Sequence, residues 1–308
     1  MFYSSPLSEL NDPAEGFVNE ENLMLQIDVL TDISLKGNAG NKNLKKSIDS
    51  VLDFREKSGI YSLSNVNDEL LWAHYGESHQ GFCIEYDYEK LFAFEKREYS
   101  LKVDVAYTSS IPVLGFEDLN NKQQFIQKVI GSKSVKWEYE QESRILTSAF
   151  GLHEYDFRAV KAIYFGLRML PEKKNALMKC LQGRNIEYYQ MKYKDGSYLL
   201  ESERISDKFS NAKRYMYHVS PIASDAVQPE CLHKKWQKYE SYLQKVSEIV
   251  RREPYCNLVG MVEVSADKSK GDTPVFFGQY KRKELRYENI YYTLDEVDRL
   301  YDLIEDLD

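Results

Sequence analysis

Leu101, Val103, Val105 and Tyr107 alternate with polar Lys102 and Asp104, the period of two that turns one face of a strand inward. Runs of similar strand character recur at 59–63, 81–87, 144–150, 160–165, 187–193 and 197–201, and no helix returns regularly between neighbours. A regular βαβ series is thereby excluded, and the glycine fingerprint of a dinucleotide-binding doubly wound sheet is missing too. The pattern predicts an α+β fold, mixed and mainly antiparallel, with flanking helices.

Helical spacing marks 43–56, where Leu44, Ile48, Val51, Leu52 and Phe54 fall on roughly one face, and it recurs at 119–130 and 171–182. Pro171 suits a first helical turn, and Gly183 follows the expected end. The Gly/Asn-rich stretch 35–43 reads as a surface loop. After Ile205 the period disappears and Pro221 and Pro229 intervene, so a main domain is expected over 1–205, a linker over 206–230 and an accessory α+β region over 231–308. In the last of these, Leu232, Trp236, Tyr239, Leu243, Val246 and Val250 recur in steps of three and four. The amphipathic helix at 231–252 would dock on the main domain, or, since the spacing is also a heptad, join two copies as a homodimer. "LVGMVEV" and "PVFFGQY" suggest a hairpin, and Thr293 with Glu296 a capping box opening the last helix.

The net charge of -8 disfavours indiscriminate binding to phosphate backbones or anionic membranes. No run approaches the roughly 18 to 20 apolar residues that span a bilayer, and the start has no basic leader, so a cytoplasmic protein without membrane contact is expected. Cys83, Cys180, Cys231 and Cys256 form no CxxC, which argues against a zinc ribbon, a redox pair and a disulfide framework.

Three stretches carry candidate chemistry. In "LLWAHYGESHQGFCIEYD", 70–87, His74 and His79 are five apart, unlike the four-residue spacing that aligns two zinc ligands on a helix, so no metal is expected. In "KWEYEQESRIL", 136–146, an extended chain would put Glu138, Glu140, Glu142 and Arg144 on one face, an arrangement of carboxylates that needs a cation or a reaction to justify it. A helical chain would instead pair Glu140 with Arg144 at i,i+4 as an ordinary surface ion pair. In "SSPLSELNDPAEG", Asn-Asp-Pro is a turn signal, and the functional reading makes this segment, with Tyr3, Asn11 and Asp12, the wall of a pocket.

"YSSPLSELNDPAEG", "LLWAHYGESHQGFCIEYD", "VAY", "KWEYEQESRIL" and "AVKAIYFGLRM", in that order over about residues 1–205, resemble a widespread bacterial domain-of-unknown-function family. Its members carry Ser-x-Pro…Asn-Asp-Pro-x-Glu, Trp-Ala-His-Tyr…His-x-Gly-Phe-Cys and Trp-x-Tyr-Glu-x-Glu-x-Arg. The family's order of elements is similar to that of ADP-ribosyltransferases, in which a split sheet holds NAD. Its members also resemble genes of bacterial phage-defence and toxin–antitoxin settings. The resemblance implies NAD as substrate, with ADP-ribosyl transfer to a protein or nucleic-acid acceptor or NAD cleavage by water. Glu142 would be the catalytic carboxylate holding a ribose hydroxyl and Glu140 would orient the acceptor. Arg144 would hold pyrophosphate or restrain the carboxylates, and His74 and Tyr75 would supply a hydrogen bond and a stacking surface. Members usually carry a strand rich in tyrosine and basic residues ahead of the Ser-x-Pro segment, where this sequence starts. If that strand holds the dinucleotide, loss of NAD affinity, a borrowed strand or a dead enzyme is expected. The alternative is a non-catalytic sensor or antitoxin-like module that binds a nucleotide or a partner in the same cleft.

Overall fold

Most period-two runs form strands where the sequence analysis places them. The computed structural model describes residues 1–21, 23, 25, 26, 29, 57–94, 101–119, 121–216, 218–283 and 286–305. The expected loop at 35–43 and all but the last few residues of its neighbourhood, including the helix at 43–56, lie outside the described residues. The chain divides into two compact units, Met1–Leu177 with Ile186–Lys208, and Met178–Asn185 with Phe209–Asp308.

The first unit contains β1 (Phe2–Pro6), β2 (Gly59–Leu63), α1 (Glu69–His74), β3 (Phe82–Tyr86), α2 (Tyr88–Leu91), β4 (Leu101–Asp104) and β5 (Ala106–Thr108). It continues through α3 (Phe116–Leu119), α4 (Lys122–Val129), β6 (Ser132–Ser134), β7 (Ser143–Thr147), β8 (Gly151–His153) and β9 (Val160–Phe165). Helix α5 (Pro171–Cys180), of which the part up to Leu177 belongs to this unit, precedes β10 (Glu187–Tyr193) and β11 (Leu200–Ile205). Among the described residues the strands form a five-stranded sheet in the order β4-β7-β2-β1-β8, a four-stranded sheet β11-β10-β9-β3, and the pair β5-β6. All pairings in the five-stranded sheet are antiparallel, whereas β9 with β10 and β5 with β6 are parallel.

Two departures from the sequence expectation matter. Phe2–Pro6 is a strand paired on both sides, to β2 and β8, in a segment that reads only as turn. The single strand expected over 101–107 is two. Val105 is the hinge: its N–H donates to the Glu142 carbonyl (3.0 Å), while the Ala106 N–H donates to the Gly131 carbonyl (2.7 Å). This takes the chain out of the large sheet and into the pair with β6.

Adjacent residues of β7 face opposite sides, so its "RIL" run serves two cores. Leu146 joins Ile60, Val103, Phe125, Ile126 and Ile130 beneath α4, and Ile145 joins Phe2, Leu91, Phe92 and Ala159. Helix α1 starts at Asp68, whose carboxylate accepts from the Leu70 and Leu71 N–H groups, and it buries Trp72 against Met191 and Leu200 of the four-stranded sheet.

The second unit contains α6 (Glu240–Val250), β12 (Leu258–Val264), β13 (Val275–Lys283), β14 (Arg286–Thr293) and α7 (Leu294–Glu305), with the three strands in sequence order in one sheet. The expected helix over 231–252 is a 3-10 turn at Lys234–Tyr239 followed by α6, and its stripe of Leu243, Val246 and Val250 is buried with Val259, Val262 and Phe276 in this unit's core. Gly278 permits the close approach, since a Cβ there would lie 2.5 Å from Val250 Cγ2. Within the stretch 206–230, Ile222 and Val227 bridge to Val259 and Val262, and Ala226 is buried in the same core. The hairpin β12-β13 and the Thr293/Glu296 capping box form as expected, the Thr293 N–H donating to Glu296 (2.8 Å).

Gly59 sits where β1, β2 and β7 converge, and a Cβ there would fall on Ser4 Oγ and within 2.6 Å of Thr147 Oγ1 and 2.7 Å of the Ala149 carbonyl. Gly59→Ala is expected to lower stability by about 1–3 kcal/mol through overpacking, read as a fall in urea midpoint at unchanged slope. An unchanged midpoint would mean that these strands separate without strain.

Candidate functional site

The site begins at the Asn-Asp-Pro turn. The Asp12 carboxylate accepts from the Ala14 N–H (2.9 Å), the Glu15 N–H donates to the Asp12 carbonyl (3.0 Å), and Gly16 takes the left-handed φ of +72° that completes the turn. The outcome is a Glu15 side chain delivered inward, 7% exposed.

A second delivery comes from β6, whose Lys133 is buried. The chain then leaves β6 in a 3-10 helix, Val135–Glu140, capped at its start by Ser134 and ended by Gln141 at φ +43°. This corrects the extended reading of 136–146 over its first half. The left-handed Gln141 reverses the chain, so that Glu140 and Glu142 still converge while Glu138 stays exposed. Glu142 is fixed by its own backbone, whose N–H donates to the Tyr107 hydroxyl (2.8 Å), and Arg144 follows on β7 between β4 and β2.

Arg144 is fully buried and uses all five of its N–H donors. Nε and Nη2 form a fork on Glu142 (2.9 and 3.0 Å), Nη1 and Nη2 a second fork on Glu15 (2.7 and 2.6 Å), and Nη1 also donates to the Ile130 carbonyl (2.6 Å). The helical alternative, an i,i+4 pair of Glu140 with Arg144, is not what forms. Instead the Lys133 ammonium serves three carboxylates, Glu140 at 2.6 Å and Glu142 and Glu15 at 3.3 Å each. The Tyr75 hydroxyl donates to the other Glu140 oxygen (2.6 Å). Three buried carboxylates thus face two buried cations.

The electrostatics follow. Burial alone pushes the Glu142 carboxyl up, but the Arg144 fork, Ser62 and Lys133 outweigh it and hold the group below its ordinary value. Burial disfavours the charged forms of Lys133 and Arg144 as well, yet their carboxylates hold both above the ordinary range. Tyr75 is pushed up to about 12 by desolvation and then by its bond to Glu140.

These groups line a cavity of about 490 Å³ whose wall includes Glu15, Lys133, Glu140, Glu142, Arg144 and Tyr75. Tyr3, Tyr61, Trp72 and Phe82 add aromatic surface, and Glu9, Asn11, Ser62, Ser64 and Asn65 add polar groups. Tyr75 is placed by a loop in which Glu77, Ser78 and His79 all have positive φ, conformations that cost roughly 1–2 kcal/mol each. Bonds from His79 N–H to the Trp72 carbonyl (3.0 Å), Gly81 N–H to Gly76 (2.8 Å) and Arg168 N–H to His79 (2.9 Å) hold it.

Of the residues singled out in the sequence, Tyr3, Asn11, Tyr75, Glu140, Glu142 and Arg144 meet at the cavity. Asp12 does not line it, because its carboxylate closes the turn. His74 does not line it either: it is exposed, with its ring 6.2 Å from that of Tyr139. Sequence reasoning missed Glu15 and Lys133. Glu15 stands inside the quoted Asn-Asp-Pro-x-Glu stretch, so its signal was present, whereas the isolated Lys133 in "GSKSV" offered none. Among the described residues no group of three or more His, Cys, Asp and Glu could hold a metal ion, and no helix is long and apolar enough to cross a membrane.

Residues 71–145 match the family model described as Protein of unknown function (DUF2971), which supports a domain-of-unknown-function family for the segment holding Trp72, Tyr75, Lys133, Glu140, Glu142 and Arg144. No curated protein and no solved structure matches the chain.

Arg144→Met would leave Glu15 and Glu142 buried with Lys133 as their only cation, a loss expected to cost about 3–5 kcal/mol and to appear as a large fall in Tm. Arg144→Lys keeps the charge but not the two forks, and should fall between. The acid limb carries a second expectation. Because the folded Glu142 carboxyl lies below its ordinary value of 4.5, its contribution to stability is complete above that value and is lost as pH falls through the folded pKa. Wild-type stability should therefore fall below about pH 4.5, and Glu142→Gln should lose part of that slope in denaturant titrations from pH 7 to 3. A parallel acid limb in both proteins would remove Glu142 from the linkage.

Proposed function

We propose that the first unit is a split-sheet domain of ADP-ribosyltransferase type, that its cavity receives the nicotinamide–ribose part of NAD, and that it acts on the N-glycosidic bond, in the bacterial defence setting implied by the sequence resemblance. The observation that carries the reading is the convergence of Glu140 and Glu142 with Tyr75 on the wall of one aromatic-lined cavity. Breaking the bond between nicotinamide nitrogen and ribose C1′ moves positive charge from the ring onto the ribose, and a carboxylate beside it stabilises charge that develops mainly in the transition state. The five-stranded and four-stranded sheets of the unit are compatible with a split sheet.

Within this reading the roles of the two glutamates differ from those implied by the resemblance. Both oxygens of Glu142 are taken by Arg144, with Lys133 and Ser62 beside them, so it is a positioning group. Glu140 has one oxygen on Lys133 and the other on the Tyr75 hydroxyl at the cavity wall, with no guanidinium fork holding it, and is the better carboxylate to meet the ribose. Arg144 has no donor left for a pyrophosphate, and Lys133, the only other basic residue on the wall among the described residues, is shared among three carboxylates.

The same saturation favours a second reading, a module that binds a nucleoside-type ligand without cleaving it. One experiment separates the two. Purified protein is incubated with NAD, and nicotinamide release and Tm are recorded for wild type, Glu140→Gln and Glu142→Gln. Cleavage at Glu140 predicts release by wild type, a loss of at least ~100-fold in Glu140→Gln, equivalent to roughly 3 kcal/mol, and a Glu142→Gln defect dominated by lower stability. A wild type that is inert with NAD yet melts higher in its presence would favour the binding module.

A further inference from the structure

The buried network does not balance. Glu15, Glu140 and Glu142 count as three formal negative charges, Lys133 and Arg144 as two positive ones, and each of the five is at most 7% exposed. Glu9, an exposed residue of the same lining, brings the formal charge of the described lining residues to -2. A net charge away from water is expensive unless something compensates it. The internal donors are already committed: five N–H groups of Arg144 are used, and the Lys133 ammonium lies within 3.3 Å of all three carboxylates. What remains open is the cavity side, where Trp72, Tyr61, Tyr75 and Phe82 contribute aromatic surface. Aromatic faces attract cations through their quadrupole, more strongly when water is excluded. They also stack on flat rings.

We infer that the cavity selects a flat organic cation, of the pyridinium class, by its charge, and that it discriminates against phosphate-bearing ligand parts. The inference rests on the NAD reading for the identity of the ring and goes beyond it by naming what is recognised: the positive charge of the oxidised nicotinamide, not the dinucleotide. A pyridinium on the aromatic wall brings the missing positive charge to the Glu140 side of the network. The dihydropyridine of the reduced form has nearly the same outline and hydrogen-bonding amide but no charge. A diphosphate, conversely, meets carboxylates and no uncommitted cation among the described lining residues. Such a site distinguishes oxidised from reduced nicotinamide without reading the adenosine half. A metal cation is a poor alternative occupant, since the carboxylate oxygens are engaged by Lys133, Arg144 and Tyr75 and no metal-ligating group of three is present among the described residues.

The test uses the intact wild-type protein and three probes: nicotinamide riboside, its neutral 1,4-dihydro form, and ADP-ribose, each titrated by calorimetry at constant ionic strength. The expected result is binding of the oxidised riboside at least tenfold tighter than the reduced one, with ADP-ribose weaker than either. Equal affinities for oxidised and reduced riboside, tightest binding of ADP-ribose, or no binding of any probe would each overturn the inference. Glu140→Gln, which removes the excess charge of the buried network, should shrink the oxidised-to-reduced ratio towards one, and the ratio is readable even if the variant is less stable, provided it is folded at the titration temperature. Failure here is distinguishable from failure of the cleavage reading. Preference for the oxidised riboside without nicotinamide release from NAD leaves this inference standing and removes the reaction; release without preference does the reverse.

Discussion

The five donors of one arginine organise the first unit. Arg144 is on the second strand from the edge of the large sheet, yet its two forks and its bond to the Ile130 carbonyl tie together the turn at Glu15, the strand entry at Glu142 and the end of α4. Glu15 and Arg144 are 129 residues apart in the chain. A buried pair of this kind is weak evidence for net stability, because removing both ions from water costs nearly what their attraction returns. Its effect is on specificity. Any arrangement that moves the turn, the strand or the helix end by an ångström leaves a buried guanidinium or carboxylate without its partner, so competing packings are penalised heavily. The cavity inherits that rigidity, since three of its lining groups are the fork and its two carboxylates.

What the sequence made legible is what local pattern can encode. Strands at 59–63, 160–165 and 187–193 begin and end where their apolar period does, and the Thr293/Glu296 box forms because both halves lie within four residues of chain. The failures have a common cause in distant partners. Phe2–Pro6 has no alternation to announce a strand, since its existence depends on pairing with β2 and β8, some 55 and 150 residues away. Val105 fits a strand by pattern, and only the Glu142 carbonyl and the turn of chain at Gly131 divide it. Residues 135–140 show the limit most clearly. Alternation and helical spacing were both defensible there, and the chain adopts neither, because a 3-10 helix ended by a left-handed Gln141 satisfies the Lys133 and Arg144 partners that no local pattern contains.

The site was legible in part for the same reason. Glu140, Glu142, Arg144 and Tyr75 stand out because several chemically expressive residues lie close together in the sequence, and the cavity wall gathers all four. Lys133 was invisible because its role is defined by Glu15, Glu140 and Glu142, and only the fold brings those three to one ammonium. His74 shows the converse. Its neighbours Trp72 and Tyr75 do reach the cavity, but the short helix that buries Trp72 leaves His74 on its exposed side, and a conspicuous residue becomes an ordinary surface one.

Glu138, Glu140 and Glu142 are the same residue type at equal spacing, and the fold gives them three different environments. Glu138 is solvated. Glu142 is held on both oxygens and kept charged by Arg144, which makes it a fixed electrostatic element unable to rotate towards a ligand without breaking a buried fork. Glu140 differs from both: one oxygen meets the Lys133 ammonium and the other the hydroxyl of Tyr75, a half-exposed side chain. Acid–base and electrostatic roles diverge when neighbouring carboxylates are placed in environments this different. Of the three, Glu140 is the buried one whose partners are an ammonium and a tyrosine hydroxyl and not a guanidinium fork, so residue type and spacing alone do not fix what each carboxylate can do.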